Sequence, residues 1–529
     1  MKTFSQFLVI FLLFSFVVNS CASRKSIVVI NDEKVIGINL IDNKAIEVVE
    51  HLLPERIYNH NYDTISGFLT IQLRGVSRRG RNLKRGNIIQ YDPKNKEVKW
   101  VKKIDYRSTE LQQFNDLIIE KSGYKSRRLD VNTGENLWEF FNDLRLVDPT
   151  HSIGIGYRYK ELEGYTNTLQ GINMNSGRLI WVRELNREYE WNNIHHLNDS
   201  IILLVANGLS TINIKNGAGW NYELITGNKD YTRTAVINAA GVTLGLLTGL
   251  FVFAGGYDLA SGLVSNVLID STDLYIASKE KISRVNKLNG KEIWSTGLPK
   301  GIPSNSTILM NDSLIFMVNK GYAYSRNRMI TYGKPFIAAF SKNDGEEKYN
   351  SVISHGESGI QMVSLREDTL YLFFEERISK YSIEDGNRIN EKTFNVNESG
   401  AFWFFITDKA FILANDSTFK NLELHDSSKF YVYSSKDKIL AIDDDLNLTK
   451  TYEPEDLYIY YLEKNDLKFL FNDGKTIIID ADNKKIAELP ISNNAIIIGD
   501  KLYGFQENSL FEINLNDITG YNKPMSVLH

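Results

Sequence analysis

The chain has 529 residues, of which 24% are charged, and its formal net charge at pH 7 is −4. This near balance gives a soluble surface with no overall attraction to nucleic acid. The chain is too long for a single hydrophobic core, so it is expected to form several domains or an array of repeats. Nine prolines beside 27 tyrosines and 27 phenylalanines argue against disorder and favour many short β-strands.

The first 20 residues are predicted to be a secretory signal. Lys2 precedes an uncharged apolar run, Phe7–Val18, and small residues follow before Cys21, which is the layout of a signal peptide. Cys21 is the only cysteine in the chain. An unpaired thiol is a liability in an oxidising compartment, so a lone cysteine at this position is expected to be modified.

The segment that ends at Cys21 resembles a lipobox. It reads Val-Asn-Ser-Cys, and Asn19 stands where Ala, Ser or Thr is more common, as in looser boxes of Bacteroidetes-like sequences. The resemblance implies that Cys21 is lipidated and that residues 21–26 form a tether to a membrane. No Asp follows Cys21, which resembles sorting to the outer membrane. We expect the periplasmic face, with exposure at the cell surface as the alternative.

A basic segment lies between two alternating apolar runs. The flanking runs, Gly67–Leu73 and Asn87–Tyr91, predict a long β-hairpin whose loop carries the charges. The loop is either a solvated surface feature or a site for anionic lipid headgroups or an acidic protein patch, since guanidinium groups bind phosphate and carboxylate bidentately. Its candidate interaction residues are Arg78, Arg79, Arg81, Lys84 and Arg85, preceded by Arg74.

A short pattern recurs along the chain and carries the main structural signal. An alternating apolar stretch is followed by a turn rich in Asp, Asn and Gly, and then by Trp, usually four positions after the Gly. The Gly accepts the positive φ of a tight turn, and the preceding Asn or Asp bonds its own backbone. The Trp ring is expected to fill the wedge between adjacent blades. The structural residues are Gly134, Gly177 and Gly290 of the turns and Trp100, Trp138, Trp181 and Trp294 of the wedges.

These units resemble the PQQ-like repeat family, whose pattern is an apolar strand, an Asp-x-x-Thr-Gly turn and a following Trp. Residues 130–134 with Trp138 match that pattern at each position, and the match weakens after Gly345. The resemblance implies an all-β β-propeller of four-stranded blades over residues 27–529, with about eight blades or more. We count about ten or eleven turn units, so either some units are hairpins within a blade or the propeller is larger than usual or double.

One apolar insertion, residues 228–265, interrupts the repeats. It has no charged residue from Thr234 to Tyr257 and is predicted to be helical, with three glycines spaced for close helix packing. A single membrane crossing would place blades of one ring in two compartments, which argues against it. The insertion is expected to pack on the propeller or line its channel, or else to dip into the membrane or contact a partner subunit. The three glycines are Gly241, Gly245 and Gly249.

The sequence offers no catalytic constellation. Eight scattered histidines lack the spacing of a metal site, and the paired His195 and His196 point to opposite faces of a strand. Acidic clusters at 443–445 and 480–482 fall on predicted turns, where Asp bonds its own backbone. Quinoprotein dehydrogenases, which the repeat resembles, hold their quinone against a disulfide between adjacent cysteines. This chain has no cysteine besides Cys21, so we expect no metal, no cofactor and no enzymatic activity.

Lipobox, secretion and PQQ-like repeats together resemble the BamB family, the propeller lipoproteins of outer-membrane β-barrel assembly. The resemblance implies a non-catalytic scaffold that binds other envelope proteins, among them a barrel-assembly complex, through strand edges or loops. Nucleic acid is not an expected partner. Two other classes stay open: a cofactor-dependent quinoprotein-like enzyme or sensor, and a surface module that binds glycans or another ligand through its aromatic residues.

Overall fold

The computed structural model describes a chain built almost wholly of β-strands. The residues that it describes are 28–187, 191, 193–206, 208–224, 229–230, 251–252, 259–260, 264–299, 304–325, 328–331, 333–353, 359–394, 402–405, 410–415, 418–421, 429–434, 438–453, 455, 457–472 and 474–518. The chain forms two compact units. Unit 1 comprises residues 1–107, 132–134 and 461–529, and unit 2 comprises residues 108–131 and 135–460.

Short strands succeed one another along the whole described chain. The first half contains β1 (Val29–Asn39), β2 (Ala45–Leu52), β3 (Ile57–Tyr62), β4 (Leu69–Val76), β5 (Asn82–Asp92), β6 (Glu97–Asp105), β7 (Thr109–Phe114), β8 (Leu117–Ser122), β9 (Lys125–Leu129), β10 (Asn136–Asp148), β11 (Ile153–Lys160), β12 (Gly164–Asn173), β13 (Leu179–Glu184), β14 (Asn193–His196), β15 (Ile201–Val205), β16 (Gly208–Asn213), β17 (Asn221–Glu223), β18 (Lys229–Asp230), β19 (Phe251–Val252) and β20 (Leu259–Ala260). The second half contains β21 (Leu268–Ile269), β22 (Asp273–Ala277), β23 (Lys281–Asn286), β24 (Glu292–Gly297), β25 (Ser306–Met310), β26 (Leu314–Asn319), β27 (Tyr322–Ser325), β28 (Arg328–Thr331), β29 (Phe336–Ser341), β30 (Glu347–Val352), β31 (Met362–Arg366), β32 (Thr369–Phe373), β33 (Arg377–Ser382), β34 (Arg388–Thr393), β35 (Phe402–Phe405), β36 (Ala410–Asn415), β37 (Thr418–Asn421), β38 (Lys429–Ser434), β39 (Ile439–Asp443), β40 (Leu448–Tyr452), β41 (Leu457–Lys464), β42 (Leu467–Asn472), β43 (Lys475–Ile479), β44 (Lys485–Leu489), β45 (Ile496–Ile498), β46 (Lys501–Gln506) and β47 (Ser509–Asn514). A 3₁₀ turn, Leu515–Asp517, follows β47.

Unit 1 contains the four-stranded sheet β3-β4-β5-β6 and, from a sheet of eleven strands, the run β42-β43-β44-β1-β2-β47-β46-β45. Within this run, β2 pairs antiparallel with β47 and places Val48 opposite Ile513, so a strand from the start of the chain lies beside one from its end. Strand β1 lies between β2 and β44.

Unit 2 contains seven four-stranded sheets among the residues described. Six have the orders β7-β8-β9-β10, β10-β11-β12-β13, β14-β15-β16-β17, β21-β22-β23-β24, β31-β32-β33-β34 and β25-β26-β29-β30, the last carrying the hairpin β27-β28 between its middle strands. The seventh is β35-β38-β39-β40. Strand β10 serves two sheets, since its first half pairs with β9 and its second half, from Asn142, pairs with β11.

The turns follow the chemistry that the repeat predicts. In the turn between β12 and β13, the Asn173 side-chain oxygen accepts hydrogen bonds from the backbone N–H groups of Asn175 and Ser176, at 3.0 and 2.9 Å. Gly177 then adopts a φ of +69°, a region that residues with a Cβ disfavour. The hydrogen bonds of Asn173 and the conformation of Gly177 therefore form the turn from residues within four positions of each other.

The core lies between the faces of successive sheets. In the sheet β21-β22-β23-β24, all five residues of β22 are buried, whereas the outer strand β24 is exposed except for Trp294 and one half-buried neighbour. Apolar side chains from two successive sheets form one cluster, in which Ile155 and Leu169 meet Ile202 and Ile212. Each sheet therefore buries its faces against its neighbours, as propeller blades do.

The predicted fold class is confirmed: the chain is all-β and built from four-stranded antiparallel sheets of the propeller type. The described residues form eight such sheets, two of which share β10, beside one sheet of eleven strands. The predicted helix falls in residues 228–265, most of which lie outside the described residues. Within that range, β18 pairs with β20, and β19 pairs with the inner strand β10, with Val252 opposite Leu146.

Candidate binding surfaces

The tryptophans of the repeat lie against the turn glycines of the following sheet. A Cβ added to Gly177 would be 2.6 Å from Trp138 Cγ, and one added to Gly134 would be 2.7 Å from the Trp100 ring. The Trp138 indole N–H also donates to the Met174 carbonyl oxygen at 2.8 Å. The same pair of contacts joins Trp181 to the next turn, where its N–H donates to the Ile214 carbonyl oxygen at 2.8 Å. These residues hold successive sheets together.

Two further residues take the same place, and both belong to weaker copies of the repeat in the sequence. Trp220 packs on Gly290 and donates to the Lys287 carbonyl oxygen at 3.1 Å. Tyr349 packs on Gly386, and its hydroxyl donates to the Ile383 carbonyl oxygen at 2.9 Å. Trp294 makes the equivalent contact with Gly345. Trp220 follows its own turn glycine by three positions rather than four, which makes its copy a weaker match to the pattern.

The basic segment forms the tip of the β4–β5 hairpin, which the flanking alternation predicted. Val76 pairs with Asn82, and Ser77 bonds Arg81 across the turn, from its N–H to the Arg81 carbonyl oxygen at 2.8 Å. The five predicted interaction residues are all exposed. Arg85 contacts Asp105 at 3.6 Å. Hydrogen bonds from Arg107, and then the nearby Arg85, lower the pKa of the Asp105 carboxyl, so one acidic side chain lies at the root of the hairpin.

Arg74 fixes the root of the same hairpin. Its guanidinium carbon lies 5.0 Å from the centre of the Tyr58 ring and 4.9 Å from that of Tyr106, distances typical of cation–π contacts. Its Nε donates to the Leu83 carbonyl oxygen at 2.5 Å. The hairpin therefore projects from a rigid aromatic base.

The outer strand β13 exposes an apolar edge. Three of its six residues are aliphatic and exposed, with 47% of Leu179, 43% of Ile180 and 57% of Val182 accessible to solvent. In the described part of the chain, β13 pairs with β12 alone, so its other edge presents backbone N–H and C=O groups. Natural sheets usually carry charged residues or proline on such edges, which prevent pairing with another chain. An apolar edge without them can accept a strand from a partner.

A buried ionic cluster in unit 2 was missed by the sequence reasoning. Asp143 lies 3.0 Å from Lys121 Nζ and 2.9 Å from Arg145 Nε, and Arg145 is 1% exposed. Burial acts to raise the pKa of Asp143, but Arg145 and Lys121 outweigh it and lower the pKa overall. Burial lowers the pKa of Lys121. The sequence around these residues does not indicate the cluster, because its members come from two strands, β8 and β10. We interpret the cluster as structural.

Two of the described histidines contact an acidic side chain as well as another polar group: His51 Nε2 lies 3.5 Å from Glu512, and His151 Nε2 lies 3.5 Å from Asp199. His51 Nδ1 bonds the Tyr91 hydroxyl at 2.6 Å, and His151 Nδ1 bonds Asp148 at 2.5 Å. Asp443 and Asp480 cap turns, as the sequence indicated, by accepting from the backbone N–H of residues 447 and 484. Among the residues that the structure describes, no group of three His, Cys, Asp or Glu is placed to hold a metal ion.

Two groups of predicted site residues lie outside the described residues: the lipidation site Cys21, and the insertion glycines Gly241, Gly245 and Gly249. Within the described chain, no helix is long and apolar enough to cross a membrane. Among the described residues, the basic hairpin and the apolar edge of β13 are the candidate binding surfaces.

Comparison with known proteins gives distant structural likenesses. No family model and no curated relative matches the chain. BamB from Moraxella catarrhalis is 10% identical, with a TM-score of 0.32 over 72% of this chain and 96% of that one. The C-terminal WD40 domain of Sif2 is 10% identical, with a TM-score of 0.31 over 87% and 98% of the two chains. The designed protein Ika8 is 10% identical, with a TM-score of 0.29 over 78% and 99%.

Proposed function

We propose that this protein is a non-catalytic envelope lipoprotein that holds other envelope proteins in place, with outer-membrane protein assembly as its specific setting. It is anchored to the outer membrane through lipidated Cys21 and faces the periplasm. Its partners dock on strand edges and loops of the blades, and no cofactor takes part.

The observation that carries this proposal is the apolar edge of β13. Ile180 and Val182 stand exposed on an outer strand whose backbone is open for pairing in the described chain. An extended segment of a partner that adds to such an edge gains main-chain hydrogen bonds and apolar contacts together. Outer strands of other blades are more polar: β34 reads Arg-Ile-Asn-Glu-Lys-Thr. The scaffold function therefore has a preferred docking strand.

A pull-down in mild detergent from the native envelope tests the proposal. Tagged wild-type protein is expected to bring down a barrel-assembly protein of the outer membrane, identified by mass spectrometry. The double variant Ile180→Lys/Val182→Lys places two charges on the edge and is expected to recover at least tenfold less of that partner, since a charged edge resists strand addition.

The matched control carries the same two charges on other outer strands. Ile293 and Ile389 are 46% and 58% exposed, so Ile293→Lys/Ile389→Lys is expected to recover the partner as the wild type does. Equal recovery by the β13 variant would assign docking to another surface. Recovery of the protein alone with a bound chromophore or metal would replace the scaffold function with the quinoprotein-like one.

A further inference from the structure

The tip of the β4–β5 hairpin carries five exposed basic residues. Among the described residues, Arg85 forms an ion pair with Asp105 at 3.6 Å, and no ion pair is found there for Arg78, Arg79, Arg81 or Lys84. Their charges are therefore available to an anionic surface.

Apolar side chains accompany the charges at the same tip. Val76 and Leu83 are 40% and 44% exposed, and they flank the turn on opposite strands. The tip is ordered, because the Ser77 hydroxyl accepts from the Arg81 backbone N–H at 3.1 Å. Two exposed aliphatic side chains among guanidinium groups fit the membrane interface, where lipid headgroups meet acyl chains.

The N-terminal end of the described chain enters unit 1 beside the root of this hairpin. Val28 packs in the cluster that contains Leu53 and Leu73, and Val29 lies opposite Leu52 at the end of β2. Two residues beyond Leu53, the Glu55 carboxylate accepts a hydrogen bond from the Asn87 side chain at 3.3 Å.

The hairpin root and the chain entry therefore share one end of the blade. Asn87 on β5 pairs with Leu73, and Arg74 on β4 donates its N–H to the Arg56 carbonyl oxygen at 2.8 Å. The Arg74–Arg56 bond and the Asn87–Glu55 bond both reach the segment that connects β2 to β3. Seven positions separate Val28 from Cys21, and an extended chain of that length reaches about 24 Å. A lipid at Cys21 would hold this end of the blade close to the membrane surface.

We propose that the hairpin tip, residues 76–85, is a second membrane contact that binds the phosphates of anionic lipid headgroups. The inference rests on the lipid anchor of the proposed function. Guanidinium groups bind phosphate oxygens bidentately, and the two aliphatic residues lie at the depth of the acyl boundary. Two attachments, one covalent and one electrostatic, orient the blades relative to the bilayer in a way that one flexible tether does not.

Vesicle co-sedimentation of the purified Cys21→Ser protein tests this contact without the lipid anchor. Vesicles of phosphatidylcholine with about one-third phosphatidylglycerol are expected to bind it, and vesicles of phosphatidylcholine alone are not. Raising the salt from about 0.05 M to about 0.5 M is expected to abolish binding, because salt screens charges at these separations.

Substitutions then locate the contact. Arg78→Gln/Arg79→Gln/Arg81→Gln is expected to weaken the partition coefficient by on the order of 100-fold, at about fivefold for each basic residue near an anionic surface. The control Arg178→Gln/Lys215→Gln/Lys291→Gln removes three equally exposed charges from unit 2 and is expected to bind as the parent does. All six side chains are exposed, so both variants are expected to keep the parent melting temperature.

The outcomes separate this proposal from the scaffold function. Failure to bind anionic vesicles, equal binding to neutral ones, or equal loss in both triple variants overturns the lipid contact. Binding of an acidic polyglutamate peptide through the same arginines, without vesicle binding, overturns it in favour of an acidic protein partner. The pull-down on β13 uses different residues, so its result does not depend on the outcome of the vesicle experiment.

Discussion

At the scale of residues, stability between blades depends on paired ring and glycine contacts. An indole such as that of Trp181 covers the backbone of the next turn, and its N–H donates to a carbonyl oxygen there. The contact is close because the glycine has no Cβ. Tyr349 reproduces it with a hydroxyl, which shows that the position needs a flat ring with a polar end rather than an indole as such.

Gly177→Ala is expected to destabilise unit 2 more than Gly164→Ala. Both glycines have positive φ, +69° and +76°, so each alanine carries a conformational cost of about 1–2 kcal/mol. At Gly177 the new Cβ would also lie 2.6 Å from Trp138 Cγ, whereas nothing lies within 4 Å at Gly164. The added overpacking is worth about 1–3 kcal/mol.

Urea denaturation followed by Trp fluorescence measures the difference between these two variants. Gly164 is the first residue of β12, directly after the turn from β11 in the same sheet, so it controls for the backbone conformation alone. Equal losses of unfolding free energy would mean that the Trp138 contact contributes nothing to stability.

At the scale of elements, strand β2, from the start of the chain, lies beside β47, from its end. Its residues alternate: Glu47 is exposed and Val48 is 3% exposed in a cluster with Phe511 and Ile513. The buried face of β2 is what holds it on β47. The outer strand β13 behaves oppositely, because its exposed aliphatic residues have no neighbour among the described residues to bury them.

Val48→Lys is expected to release β2 from β47. An unpaired charge in an apolar cluster costs on the order of 4 kcal/mol or more, and hydrogen exchange of the backbone amides of Ser509–Asn514 should accelerate. Glu47→Lys introduces the same side chain on the exposed face and should change stability by about 0.5 kcal/mol or less. Unchanged exchange in Val48→Lys would show that the pairing does not depend on this buried face.

At the scale of the whole molecule, we propose three separate roles for three parts of the chain. Lipidated Cys21 is proposed to attach the chain to the bilayer, the basic hairpin to orient one end of unit 1, and strand β13 of unit 2 to bind partners. Because each role has its own residues, each can be removed without the others.

Cys21→Ser is expected to move the protein from the membrane fraction to the soluble fraction after a wash in carbonate and high salt. The wash removes electrostatic contacts, leaving acyl chains as the remaining attachment. Ser23→Ala changes the tether without touching the cysteine and should leave the protein with the membrane. Tight sedimentation of the Cys21→Ser protein under these conditions would contradict lipid anchoring as the main attachment.

The sequence by itself determined the features that depend on neighbours within a few residues. The turn chemistry of Asn173 and Gly177, the spacing to Trp181 and the alternation of the strands all predicted propeller blades, because hydrogen bonds and φ angles in a tight turn involve residues two to four positions apart. The hairpin around Arg78 and Arg79 followed from the same kind of local pattern.

The tertiary structure alone decided the features that join distant segments. Pairing of Val48 with Ile513, burial of Asp143 beside Lys121, and the open apolar edge of β13 leave no local trace. A strand's composition does not state which strand lies beside it, and a charged residue looks the same in sequence whether it is solvated or buried with a partner. Such features arise only when packing brings the faces of separate strands together.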